Sequence, residues 1–373
     1  MPNDVPELTV VKGTCYPLFA YEVAQSIDLD AAERRILAGT ERQTIKQKRR
    51  APAFFEYRPA PLRVSSPAEP IALGAFSTGS AVEIVLYDFG AVSLSYAISL
   101  AGPLAALAPL AHDLWGNELL LADSRRHVER LMATLGDAAV RPRIADFVED
   151  YAIFEIERFT PPCDAALLAT QHAPTIAQIL RAELHRLSQQ EITDATSSRL
   201  SFGPDDATFI DTDATLLFDP EGADVRAVIE FANTQLLEMR YLDQQLDDAL
   251  ERAYSLLSKR RWSRLTMPNL YGPDLREIAQ MQLDAAILFE QVANALKLIG
   301  EQYLTRVYGL VSRRFHLADW DASITRKLQA IDRTYSRLAD RAAARRMEML
   351  EWIIVILIAI EIAVSVGPSL VAR

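Results

Sequence analysis

Cysteine is nearly absent from this sequence: Cys15 and Cys163 are all it has. Two thiols cannot build a disulfide framework, and such scarcity fits a reducing compartment. An excess of basic charge is missing too. Lys and Arg number 39 against 50 Asp and Glu, giving a formal net charge of −11 and a pI of about 5.1. General nucleic-acid binding needs a basic surface, so that class fits poorly. The opening MPNDVPELTV has neither a basic start nor an apolar core. It reads as neither a secretory signal nor an Arg-rich transit peptide. The expectation is a bacterial protein with the bulk of its chain in the cytoplasm.

The motifs of common chemistries are lacking as well. GAFSTGS (74–80) has glycines but not the Gly-Lys-Ser/Thr end of a phosphate-binding loop, and reads as a turn before a strand. The histidines His112, His127, His172, His185 and His316 form no H-E-x-x-H unit and no standard metal spacing. Cys163 and His172 lie close in sequence, as a nucleophile pair would, but no third group or oxyanion signal accompanies them. The acidic stretch 203–222 carries Asp205, Asp206, Asp211, Asp213 and Asp219. It fails the EF-hand template, because Leu216 stands where the loop glycine belongs. These carboxylates read as solvated loop groups and helix caps, with Asp219 capping the first long helix. No catalytic, cofactor-binding or metal-ligating residue is assigned, no cofactor is expected, and the chain is read as not an enzyme.

What is present divides by texture near residue 220. Before it, short apolar runs alternate with turn signals. Residues 81–89 and 91–100 are rich in Val, Ile, Leu and Tyr and predict strands joined at Gly90; 147–159 and 208–218 predict two more. Helices are expected over 28–38, 103–114, 117–135 and 174–187, with Asp28 and Asn117 as N-cap types. Mixed strands and helices define an α+β or α/β domain over 1–219.

After Asp219-Pro220, Pro and Gly nearly vanish and heptad-like stripes appear. The third uses Trp320, Ile324, Leu328, Ile331, Tyr335 and Leu338, at the three-and-four spacing of a coiled-coil seam. A long antiparallel helical stalk is expected over 220–348, with helices over about 222–262, 273–315 and 319–348. Its last helix continues into Trp352–Ile360, unbroken apolar sequence, and resumes after Glu361 to Val366. Arg333, Arg337, Arg341, Arg345 and Arg346 form a basic collar before the run, with Glu351 and the interfacial Trp352 at its head. This pattern predicts a transmembrane tail anchor over 349–372, hence a single-pass protein of the bacterial inner membrane. Glu361 then either nears the far interface or meets a neighbouring anchor.

Residues 313–362 resemble the end of the "required for meiotic nuclear division" family, a domain-of-unknown-function group. The matching residues include Trp320, Lys327, Tyr335, Leu350, Glu351, Trp352 and Glu361. Residues 9–36 are similar to that family's opening strand and helix. The resemblance implies a membrane-anchored protein without assigned catalysis. Its mitochondrial relatives support organellar translation as oligomeric scaffolds near ribosomes. A basic run with aromatics behind it, Lys46, Lys48, Arg49 and Arg50 before Phe54, Phe55 and Tyr57, reads as an RNA contact or as a solvated linker. The expected function is a non-enzymatic, self-associating scaffold or tether with a membrane and a protein partner. The alternative is an enzyme with its site in the N-terminal domain.

Overall fold

Residues 7–40, 46–47, 60–259 and 302–371 are described by the computed structural model. The strands are β1 (Thr9–Glu22), β2 (Ser26–Ile27), β3 (Lys46–Gln47), β4 (Leu62–Pro67), β5 (Ala72–Leu73), β6 (Phe76–Leu86), β7 (Ala91–Pro103), β8 (Ala139–Val140), β9 (Val148–Thr160), β10 (Arg199–Leu200), β11 (Ala207–Ile210) and β12 (Ala214–Phe218). The helices are α1 (Leu29–Thr40), α2 (Leu107–Leu114), α3 (Glu118–Leu135), α4 (Ala165–Thr170), α5 (Ala173–Leu180), α6 (Gln189–Ser197) and α7 (Ala223–Lys259), then Gln302–Arg314 and Leu317–Val371. The chain divides into two units. One is Met1–Tyr241 with Phe289–Trp320; the other is Leu242–Leu288 with Asp321–Arg373.

A mixed sheet forms the first unit, in the order β10-β11-β12-β9-β1-β7-β6-β4-β3, with β5 paired to β6. The β12–β9 pair is parallel and the other pairs are antiparallel. β1 lies at its centre, and side chains on both its faces are buried. Cys15, Phe19 and Tyr21 point one way, into an apolar cluster with Leu94, Tyr96, Phe154 and Ile156 of the neighbouring strands. Ile36, Leu110, Leu131 and Ile179 of α1, α2, α3 and α5 close that cluster. Two tyrosines on this face keep their hydroxyls satisfied on α3: Tyr21 with Ser124 at 2.5 Å and Tyr96 with Asp123 at 2.8 Å. The other face meets the first half of α7, where Phe231 packs against Tyr87 at 6.0 Å.

Local chemistry sets the boundaries. Asp28 and Asn117 each accept an N–H three residues on, at 2.9 and 3.0 Å, and so cap α1 and α3. The β6–β7 hairpin turns at Gly90, φ 103°. A Cβ there would lie 1.9 Å from the Ala24 carbonyl oxygen, so only glycine fits. Where one strand was expected over 208–218 there are two, because Asp211–Asp213 turns the chain between β11 and β12. The helix expected over 174–187 stops at Leu180, and Ala182 beyond it has φ 52°, which a helix cannot continue through.

The C-terminal region is helical where described. The helix expected over 222–262 is α7, and of the one expected over 273–315 the described part is Gln302–Arg314; residues 273–301 lie outside the described residues. His316, φ 55°, makes the break. The next helix begins at Leu317, so Asp319 sits in its first turn and not at its cap. In the second unit Lys327 bridges Asp243 and Asp247 at 2.8 and 2.6 Å, beside buried Leu246, Ala249, Ile324 and Ile331.

The transmembrane tail anchor, and with it the single-pass inner-membrane localisation, is corrected. No helix among the described residues is long and apolar enough to cross a membrane. The apolar run on this helix begins at Trp352. Glu351 bounds it on one side. The side chains of Arg345, Arg346 and Glu361, which the anchor reading relied on, lie outside the described residues.

Candidate functional site

The interface between the sheet and α7 is polar at depth. Arg226, Glu230 and Arg240 recur on one face of α7, as helical spacing requires. Glu230, 4 % exposed at its side chain, accepts from Arg63 at 3.1 Å and from the Ser93 hydroxyl at 2.9 Å. Arg63 also reaches Glu83 at 3.1 Å. Burial alone would depress the Arg63 guanidinium, but Glu230, Tyr87 and Glu83 outweigh it and hold it raised. Arg226 Nε lies 3.0 Å from Glu155, and its guanidinium stacks 4.0 Å above the Tyr16 ring. Arg240 donates to both Glu149 oxygens, at 3.0 and 2.7 Å. Burial nevertheless pushes the Glu149 carboxyl up to about 7, with Arg240 opposing.

A second ionic knot joins α5, α6, the β11–β12 turn and the end of helix Gln302–Arg314. Asp211 is fully buried. Arg181 lies 2.7 Å from one of its oxygens and Arg314 2.5 Å from the other. Asp194 joins the same two arginines at 2.5 and 3.0 Å, and this pairing holds its carboxyl below the usual range. In both knots each carboxylate faces a guanidinium of the same chain. Such groups fix elements against one another and have few lone pairs left for a substrate.

Concavities open on the first unit among the described residues. One, at the end of the sheet beside Phe19, Trp115, Asp150 and Asp213, holds about 60 Å³, room for a few waters. Another is a groove of about 540 Å³ at the β10 edge, between Arg199 and Arg306. Among the described residues no group of three or more His, Cys, Asp or Glu is placed to hold a metal ion. Cys163 is half-buried with its Sγ directed at the Asp164 carbonyl at 3.5 Å, and burial raises its thiol. His172 is buried, which lowers its ring. No contact joins the two among the described residues, so the geometry makes no nucleophile pair of them.

The residues singled out by resemblance scatter. Trp320 is half-buried, and Lys327 is held by its two aspartates. Leu350, Glu351 and Trp352 are exposed. The side chain of Tyr335 lies outside the described residues, as do that of Lys46, whose backbone forms β3, and the whole of Lys48, Arg49 and Arg50. Along the same C-terminal helix Met347, Leu350 and every residue from Trp352 to Ile358 are large hydrophobics left exposed, between 47 % and 68 %. Sequence reasoning missed Arg63, Glu149, Arg199, Glu230 and Arg306, which no local motif marks.

Fold and site together define a mixed-sheet domain with a cross-linked interior, followed by long helices. Residues 12–224 match the family model described as "Uncharacterized protein MJ0711, N-terminal domain", and the chain belongs to that family. A curated relative, Uncharacterized protein MJ0711 of Methanocaldococcus jannaschii, is 20 % identical over 226 residues, 59 % of this chain and 67 % of that protein. No solved structure matches. The family match spans β1 to the start of α7 and ends well before residues 313–362, so it does not bear on the meiotic-division resemblance.

Proposed function

We propose that the chain is a non-catalytic scaffold that self-associates through its C-terminal helix and carries the sheet domain as a rigid body. The observation behind this reading is the exposed apolar run on that helix, from Trp352 through Ile358. A helix apolar on all sides needs cover, and contiguous exposed apolar surface marks an interaction site. The heptad stripe through Trp320, Ile324, Leu328 and Ile331 leads into it, with Ile324 and Ile331 already buried inside the second unit. The ionic knots of the sheet domain agree, since they stiffen the body and leave its buried carboxylates already paired. The resemblance of residues 313–362 adds a setting near ribosomes to this reading.

A cysteine at Val355, which is 54 % exposed, tests it by oxidative cross-linking of the purified full chain. Disulfide-linked dimers of Val355→Cys are expected. A cysteine at Ser197, exposed on the sheet domain, serves as the control and should remain monomeric on denaturing gels. Equal cross-linking of both variants, or of neither, would contradict the proposal.

A further inference from the structure

We propose that the groove at the β10 edge binds a small phosphomonoester, with the phosphate between Arg199 and Arg306 and an apolar body on the alanine floor. Its volume of about 540 Å³ falls within the range of small-molecule sites, about 300–1,000 Å³. Ala165, Ala166 and Ala169 of α4 and Ala207 of β11 line it, so no long side chain fills the space. Phe209 lies at the back, fully buried.

The wall is built rather than loose. Asp206 accepts the backbone N–H groups of Phe202, at 2.7 Å, and of Gly203, and the Tyr303 hydroxyl at 3.2 Å. Ala165 N donates to the Pro204 carbonyl at 2.9 Å. The groove's own carboxylate, Asp164, is already engaged as the cap of α4, accepting from Leu167 N at 2.7 Å. It is therefore occupied locally, while the arginines are not. Neither Arg199 nor Arg306 has an ion-pair partner among the described residues, and both are exposed.

Charge selects the ligand. Two guanidinia against the single Asp164 carboxylate leave the groove net positive, and two forks of donors match a phosphate dianion better than a monocarboxylate. A phosphomonoester carries about −1.5 to −2 at neutral pH and accepts the forked guanidinium geometry. The Ser201 hydroxyl, also on the groove, supplies a further donor. With a net charge of −11, the chain as a whole repels anions, so saturable binding would report the local site.

The test is calorimetric titration of the full chain with phenyl phosphate, then with inorganic phosphate. Saturable one-to-one binding of phenyl phosphate is expected, with inorganic phosphate weaker. Arg199→Gln and Arg306→Gln should each weaken it roughly 10- to 100-fold, the range for losing one charge-assisted bond. Arg313→Gln, an exposed arginine of the same helix that does not line the groove, should bind as the parent does. Ala169→Leu fills the floor and should weaken phenyl phosphate while sparing inorganic phosphate. Circular dichroism melts confirm that each variant is folded. No saturable heat up to about 10 mM, the weak end of small-ligand affinity, would overturn the proposal. So would equal losses in all three arginine variants, or tighter binding of an oligoglutamate peptide than of phenyl phosphate.

Discussion

The two faces of the central sheet are covered by different physics. Against α1, α2, α3 and α5 the strands present Phe19, Leu94, Phe154 and Ile156, and the contact is one of volume and area. Against α7 they present Arg63, Ser93, Glu149 and Glu155 in ion pairs and hydrogen bonds, set among buried Leu18, Val85, Tyr87 and Ile153. Apolar burial is non-directional and tolerates small shifts. Buried ion pairs contribute little net stability but penalise any register that separates them. Apolar burial therefore contributes cohesion on both faces, and on the second the added ion pairs specify where α7 sits.

Substitutions at equivalent depth should separate the two. Phe154→Ala is expected to cost about 3–5 kcal/mol, from lost burial and the cavity left behind. Glu230→Ala strands the Arg63 charge beside Glu83 alone and should cost about 3 kcal/mol. The distinguishing arm is the double change Arg63→Met with Glu230→Leu, which should recover most of the loss, as apolar replacement of a whole pair does. Chemical denaturation measures all of these. Failure of the double variant to recover would mean the α7 face depends on its charges for stability as well as position.

The faces should also differ in their response to pH. Glu149 has a folded value pushed up to about 7, above the usual carboxylate range. Between the unfolded value of about 4.3 and the folded one, the folded chain binds more protons at this site than the unfolded chain does. The Glu149 contribution to stability is therefore fully present below the unfolded value. It is lost as pH rises through about 7, by roughly 3–4 kcal/mol in all. Glu149→Gln should remove this slope and melt above the parent at pH 8, with the two converging near pH 4. Parallel melting curves across that range would refute the assignment.

A smaller effect is expected at Asn233 of α7, fully buried with no hydrogen-bond partner for either amide atom among the described residues. Asn233→Leu should stabilise by about 1–2 kcal/mol, because an unpaired buried amide is costly. A loss of stability would show that the amide has a partner in solution, such as a buried water.

Legibility in the sequence followed the same divide. β6, β7 and β9 were readable from branched and aromatic residues, and their hairpin from Gly90. The residue pattern of β1 did not identify it, because a strand buried on both faces does not alternate. β11 and β12 merged into one expected strand, since Asp211 and Asp213 read as solvated loop carboxylates. Asp211 is instead fully buried, and what permits that is Arg314, 103 residues away. Arg63 and Glu230 are 167 residues apart, a separation no local pattern encodes. The same holds for Arg199 and Arg306. Hydropathy and a flanking arginine collar point to a tail anchor, but a hydropathic run also suits a helix that leaves Trp352–Ile358 exposed.

The proposed self-association through that helix is measured by sedimentation velocity of the full chain over a concentration series. A dimer or larger species is expected, one that dissociates when Ile354 and Leu357, 55 % and 59 % exposed, are both changed to Glu. A parent chain that remains strictly monomeric at the highest concentration, or a double variant that assembles as the parent does, would contradict it.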